Sequence, residues 1–173
     1  MPGVAAETDW AALLRASDEA GTRGQEAGIC YPRGFDRAAH QARFDRLGAL
    51  LSDAYGVPLS GGQGPYPEAS FFGWIHIPPE ATRTRAKRTR IPFGLTVIAS
   101  NFGELATYAP YSSGPSEAWP KVHPDDESRV EGALTALDYV VVPREVLEKP
   151  YDGPNGWLFG ATETWFGRFF SVL

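Results

Sequence analysis

The stretch "HPDDE", from His123 to Glu127, places one imidazole beside three carboxylates. Such groups bind divalent cations in many proteins. The spacing is not that of an EF-hand loop, and neighbouring side chains at the start of a helix point in different directions. Pro124 followed by acidic residues is typical of a helix N-terminus, where negative charge stabilises the helix dipole. We therefore predict that Asp125, Asp126 and Glu127 begin a helix and that the chain holds no metal and no cofactor.

Residues that act as nucleophiles or general bases are few and scattered. His40, His76 and His123 form no His-x-x-x-His pair, and the chain contains no Gly-x-Ser-x-Gly sequence. Cys30 is the single cysteine, so it forms no disulfide within the chain. A small-molecule enzyme would use His76 or Cys30 in a pocket over a sheet, whereas a hydrogen-bonded sheet histidine and a buried thiol are the structural alternatives. No catalytic residue is assigned from the sequence.

The sequence "RTRAKRTR" is a basic run from Arg83 to Arg90 in a chain of net charge −5. Basic runs bind nucleic acid phosphates, but no aromatic residues that would stack on bases are interleaved with this one. The acidic balance of the whole chain also repels phosphates on average. We predict an exposed connection or a guarded sheet edge and no nucleic acid partner.

The composition indicates one globular domain over residues 1–173. The chain is 43% hydrophobic and 21% charged, which is ordinary for such a domain. Its start, "MPGVAAETDW", resembles no secretory signal, and no apolar run is long enough to span a membrane. With a single cysteine, the expectation is a reducing compartment and a cytoplasmic protein that does not bind membranes.

Hydrophobic spacing predicts the elements that position these groups. Helices are expected at 8–21, 36–56 and 124–138, with one helical turn at 144–149. Strands are expected at 69–78, 93–100 and 104–109, the last two as a hairpin around "NFG". "YVVVP" is expected to be an inner strand, and the glycine-rich "LSGGQGPYP" a loop. The predicted fold is α+β: a mainly antiparallel sheet with two N-terminal helices and a further helix packed on it.

Aromatic residues crowd into the closing stretch "TETWFGRFFSVL". Helical spacing puts Trp165, Phe169 and Val172 in one row and Phe166, Phe170 and Leu173 in the next. A membrane-lying helix needs several cations on its polar face, and Arg168 is the only one here. We therefore predict that the rings pack in the core, with Arg168 among the polar residues off that face.

The end of the chain resembles a known class of protein. "YVVVPREVLEKP" followed by "PYDGPNG" and "TETWFGRFF" is similar to the ends of bacterial immunity proteins, which accompany polymorphic, contact-dependent or secreted toxins. The resemblance covers about the last third of the chain. Because these families have many unrelated folds, it implies no particular fold and transfers no site residues.

The resemblance implies a non-catalytic protein that binds and inhibits a cognate toxin. Acidic residues would speed the encounter with a basic toxin, and aromatic residues would supply affinity. The candidate contact residues lie in or beside the long loop before the third helix, and they are Tyr111, Trp119, Asp125, Asp126 and Glu127. A small-molecule enzyme and a contact domain of a phage or host-defence assembly are the alternatives, and the oligomeric state is left open.

Overall fold

The computed structural model describes residues 8–63, 70–87, 90–111, 120–158 and 163–171. The helices are α1 (Trp10–Ser17), α2 (Arg37–Tyr55), α3 (Pro124–Thr135), α4 (Arg144–Leu147) and α5 (Trp165–Phe170). The strands are β1 (Gly61–Gln63), β2 (Phe71–Ile77), β3 (Gly94–Ser100), β4 (Leu105–Tyr111) and β5 (Val140–Val141). The sheet has the order β1-β2-β3-β4-β5 and is antiparallel except for the parallel β4–β5 pair. The predicted α+β class is confirmed.

Helix α2 begins and ends as its sequence predicts. The Asp36 side chain accepts a hydrogen bond from the amide of Ala39 at 3.0 Å, which satisfies one unpaired donor of the first turn. Gly56 ends the helix in the left-handed conformation, with a φ of 68°. Helix α1, in contrast, ends at Ser17 and not at the predicted Gly21. The chain leaves the helix there because Asp18 turns into the interior.

The predicted hairpin is confirmed as β3 and β4. Between them Gly103 and Glu104 both have a φ of 57°, so the chain reverses through two residues in the left-handed region. Phe102, the aromatic residue of the predicted turn, is fully buried. The turn therefore also contributes to the core.

Two strand predictions were wrong. Gly61–Gln63 is the edge strand β1 and not a loop, and β5 is the opposite edge strand and not an inner one. In β1 the glycines allow close approach: a Cβ on Gly61 would lie 2.5 Å from the Phe44 ring, and one on Gly62 would lie 2.6 Å from the Trp74 ring. The glycines allow this strand to lie against aromatic rings. Composition alone does not distinguish such a strand from a loop.

The sheet is covered on its two faces by different helices. On one face, α2 and α3 pack residues such as Leu47, Leu51 and Leu134 against the inward side chains of β2 to β4. On the other, which we call the α5 face, the cluster consists of Leu14, Phe102, Leu105, Val142, Val146, Leu147, Trp165, Phe169 and Phe170. Of the helices in the described residues, none has the length and hydropathy needed to cross a bilayer.

The closing aromatics are interior, as predicted. Trp165, Phe169 and Phe170 are at most 4% exposed, and Phe166 is half-buried against the same cluster. The rings of Trp165 and Phe169 are stacked with their centres 5.5 Å apart. Residues 172 and 173, predicted to complete the rows, lie outside the described residues.

Arg168, which the sequence placed among the polar residues off this face, is fully buried. Its Nε donates to Asp18 Oδ1 at 2.7 Å, and its two terminal nitrogens donate to the carbonyls of Ile29 at 2.6 Å and Gly28 at 2.9 Å. Its carbon Cζ also lies 4.2 Å from the centre of the Phe102 ring. The guanidinium thus joins α5 to the end of α1 and to the loop that precedes α2.

Asp18 is itself surrounded by hydrogen-bond donors. The Tyr151 hydroxyl donates to one carboxylate oxygen, and the Asn155 amide donates to the other at 3.1 Å. Asn155 also binds the chain beyond α1, through the carbonyl of Glu19 and the amide of Gly21. Burial and the hydrogen bond to Asp18 raise the pKa of Tyr151 above its ordinary value, so the phenol stays a donor at neutral pH.

Replacing Arg168 tests how much this buried pair contributes to stability. In Arg168→Met the carboxylate of Asp18 would stay buried without its cation, and we expect the free energy of unfolding to fall by about 3–5 kcal/mol. Urea unfolding followed by circular dichroism measures the change. The matched control is Arg15→Met, because Arg15 pairs with Asp152 at the exposed surface and its loss should leave the urea midpoint nearly unchanged. Equal midpoints for Arg168→Met and the wild type would contradict this account.

Candidate functional site

On the α5 face a row of aromatic side chains begins at Phe71, where Phe170 of α5 lines the same hollow, runs along β2 and reaches Tyr111 at the end of β4. We call Phe71, Trp74, His76 and Tyr111 the aromatic face. Successive ring centres lie 5.6, 6.4 and 5.0 Å apart along this row. Phe71, Trp74 and Tyr111 are half-buried, and His76 is exposed. Trp74 and His76 share this face because alternate residues of a strand point to the same side.

His76 is held in place by its neighbours. Its Nδ1 lies 2.9 Å from Oγ1 of Thr96 on the adjacent strand. Desolvation of the ring where it lies against its neighbours lowers its pKa below the ordinary value for histidine, so the imidazole is neutral at neutral pH. A neutral, hydrogen-bonded ring is suited to packing against a partner.

A groove of about 930 Å³ lies beside the second half of β4, and we call it the β4 groove. Residues 107–110 and 120–122 line it. Helices α3 and α4 form its two walls. Thr96 and Ile98 line both this groove and a smaller hollow of about 210 Å³ beside Trp74 and His76. The groove and the aromatic face are therefore one continuous surface.

Tyr108 holds two carboxylates on the α3 wall. Its hydroxyl lies 2.8 Å from Oε1 of Glu131 and 3.3 Å from Oε1 of Glu127, one helical turn apart. Burial, followed by the hydrogen bond and charge of Glu131, raises the pKa of Tyr108 well above its ordinary value. The phenol therefore keeps its proton and fixes both carboxylates beside the groove.

The charges in the β4 groove are predominantly negative. Glu127 and Glu131 lie on the α3 wall, and Glu145 and Glu148 on the α4 wall. They face two cations, Lys121 and Arg144, and Arg144 is already paired with Glu148 at 3.0 Å. Among the lining residues that the structure describes, four carboxylates against two cations make the groove attractive to a positively charged ligand.

The structure separates the five predicted contact residues. Tyr111 belongs to the aromatic face and Glu127 to the β4 groove. Asp125 is at the surface, where it pairs with Arg83. Asp126 is fully buried, so we exclude its side chain from the contact surface. Trp119 lies outside the described residues.

Hydrogen bonds to the Asp126 side chain connect the start of α3 to the beginning of the basic run. Its Oδ2 accepts hydrogen bonds from the amides of Arg83 and Thr84, both at 2.8 Å, and from the Thr84 hydroxyl at 2.7 Å. Within the described part of the run, Arg83, Lys87 and Arg90 are exposed, which agrees with a surface connection.

The three histidines and Cys30 have separate surroundings. His40 lies against Phe35 and Phe72, and His123 accepts from the amide of Asp125 as the cap of α3. Cys30 is buried. Within the residues that the structure describes, no three His, Cys, Asp or Glu side chains are grouped as a metal site would require.

Several contact residues were missed by the sequence analysis. Trp74 was placed only within a predicted strand, and Glu131, Glu145 and Glu148 were not singled out. The i, i+4 spacing of Glu127 and Glu131 was a usable signal, since it puts both on one side of α3. No sequence signal connects them to α4.

Comparisons with protein-family models, with curated proteins and with solved structures found no match to this chain.

Replacing Asp126 tests the assignment of this carboxylate to folding. Asp126→Ala would leave two amides and a hydroxyl without their acceptor, so we expect destabilisation of about 1–3 kcal/mol or more. Thermal and urea unfolding measure it. Asp125→Ala is the matched control, because it removes the neighbouring, exposed carboxylate. Should the two variants have the same stability, Asp126 would have no special structural role.

Proposed function

We propose that this chain is a non-catalytic protein-binding module, an immunity protein that binds and inhibits a cognate bacterial toxin. Its contact surface is the aromatic face together with the β4 groove. The observation that carries the proposal is the continuity of these two features through Thr96 and Ile98, which line both the groove and the hollow beside Trp74.

The aromatic face has the properties of an affinity-determining patch. Trp and Tyr are the residue types that most often dominate binding energy at protein interfaces. Trp74 and Tyr111 are half-buried on regular strands, and His76 lies between them. Their side chains are already ordered by neighbouring rings, so binding costs little additional conformational entropy.

The acidic groove favours a basic partner. Its carboxylates, in a chain whose net charge is −5, accelerate association with a positively charged protein. A toxin that acts on nucleic acid needs a basic surface to neutralise phosphates. An acidic groove bound to that surface would block it, which fits the resemblance of the C-terminal third to immunity proteins.

A small-molecule enzyme with its site over the sheet stays a prediction. The hollow beside His76 is lined otherwise by Phe71, Trp74, Thr96, Ile98 and Phe170. In the part of the chain that the structure describes, its lining brings the Thr96 hydroxyl to the imidazole but no carboxylate that would orient the ring as a base. The geometry therefore favours binding over catalysis at this surface.

Growth rescue tests the proposed function. We expect co-expression of the chain to restore growth of cells that produce the toxin domain encoded beside it, and the purified proteins to form a one-to-one complex. The double variant Trp74→Ala with Tyr111→Ala should lose rescue and weaken binding at least 100-fold, since each anchor contributes about 2 kcal/mol or more. Isothermal titration calorimetry measures the affinity.

Trp157→Ala is the control for that experiment, because Trp157 is 43% exposed but lies outside both features. It should rescue growth as well as the wild type. Absence of any such toxin, or full rescue by the Trp74 and Tyr111 variant, would contradict the proposal.

A further inference from the structure

Strand β4 is longer than the strand beside it. Strand β5 pairs only with Leu105 and Ala106, and the chain then turns away at Pro143 into α4. On the β3 side, β4 is paired over Ala106–Tyr111. In the described residues, no strand continues beyond β5 to pair with the rest of β4.

The direction of the β4 backbone groups follows from the bonds already made. The amides of Val140 and Val142 donate to the carbonyls of Glu104 and Ala106, at 3.0 and 2.9 Å. Alternate residues of a strand present their backbone groups to the same neighbour. The N–H and C=O of Tyr108 and the C=O of Pro110 therefore point into the β4 groove.

The space next to these groups has carboxylates on both sides. The Tyr108 side chain points to the α3 wall with Glu127 and Glu131, whereas Thr107 points to the opposite face, where α4 carries Glu145 and Glu148. A strand placed beside β4 would direct its side chains alternately to these two walls. Both its odd and its even positions would thus meet negative charge.

We propose that the β4 groove receives an extended, lysine- or arginine-containing segment of the partner protein, which adds to the sheet as a strand beside the part of β4 that no described strand pairs on this side. The inference deepens the proposed function and rests on it for the existence of a protein partner. Addition of a strand to a sheet edge uses main-chain hydrogen bonds for affinity and side-chain contacts for specificity.

Two features favour a basic extended segment over other occupants. A helix has no unpaired backbone donors along its length for the Tyr108 and Pro110 carbonyls, whereas an extended segment has one at every second residue. An acidic or neutral segment would leave the excess of carboxylates over cations in the described lining without a counter-charge. Because Pro110 has no N–H, this part of β4 offers the carbonyls of Tyr108 and Pro110 as acceptors and the Tyr108 N–H as a donor. With so few backbone groups, charge must supply much of the selectivity for the segment.

Short synthetic peptides test the inference without the toxin. The probe is a blocked heptapeptide of lysine and threonine, with lysines at both odd and even positions. We expect it to bind in the high micromolar range, to bind more weakly as salt rises, and to slow hydrogen exchange of the Tyr108 amide. The same peptide with N-methyl groups on alternate amides should lose at least tenfold in affinity, and its glutamate analogue should not bind.

Matched variants locate the binding site. Glu127→Gln with Glu131→Gln, and Glu145→Gln with Glu148→Gln, each remove charge while keeping a polar side chain that can accept hydrogen bonds. Each pair should weaken peptide binding about three- to tenfold. Asp45→Asn with Asp53→Asn, on exposed positions of α2, is the control and should bind like the wild type.

Different outcomes overturn different statements. Equal binding of the N-methylated peptide, or no binding of the lysine peptide, overturns strand addition even if the chain rescues growth. Peptide binding without growth rescue contradicts only the toxin-inhibitor function. Concentration-dependent self-association that the groove variants abolish would identify a second copy of the chain as the occupant and overturn the inference.

Discussion

The buried guanidinium of Arg168 is the interaction on which the arrangement of the α5 face depends. Removing a cation from water costs several kcal/mol unless a counter-ion and well-aligned acceptors replace the solvent. Asp18 and the carbonyls of Gly28 and Ile29 supply them, and they come from segments far from α5 in the sequence. Helix α5 is therefore fixed over one end of the sheet. The rings of Trp74, His76 and Tyr111 lie farther along the same face and stay half-buried or exposed, and they form part of the surface that we propose as a contact site.

A second buried charge positions the acidic wall. The Asp126 carboxylate is buried away from solvent and accepts hydrogen bonds from the amides of Arg83 and Thr84. These bonds fix the position of the first turn of α3. With the helix start fixed, Glu127 and Glu131 follow on the side that meets Tyr108. The interior carboxylate thus serves the fold, and the exposed Glu127 and Glu131 on the same helix are available for the contact that we propose. The same stretch of sequence supplies both, so counting acids in it does not assign their roles.

Local patterns predicted those elements whose signals are local. Asp36 and Gly56 mark the ends of α2 because a cap and a left-handed residue act through the backbone beside them. The burial of Trp165 and Phe169 also followed from spacing, since that much apolar surface is unstable in water. Gly61 was misread because glycine is common both in loops and in strands that approach a ring closely. The candidate site was predicted only in part, because its walls come from distant segments.

By itself, the sequence determined the α+β class, the hairpin, the main helices and the interior position of the closing rings, because hydrophobic periodicity and caps act over a few residues. Only the tertiary structure decided that Arg168 is buried, because its partners lie more than a hundred residues away in the chain. It also decided that Asp126 is interior while Glu127 faces the groove. These outcomes depend on which segments meet across the sheet, and a charged side chain is stable in the interior only where its partners converge.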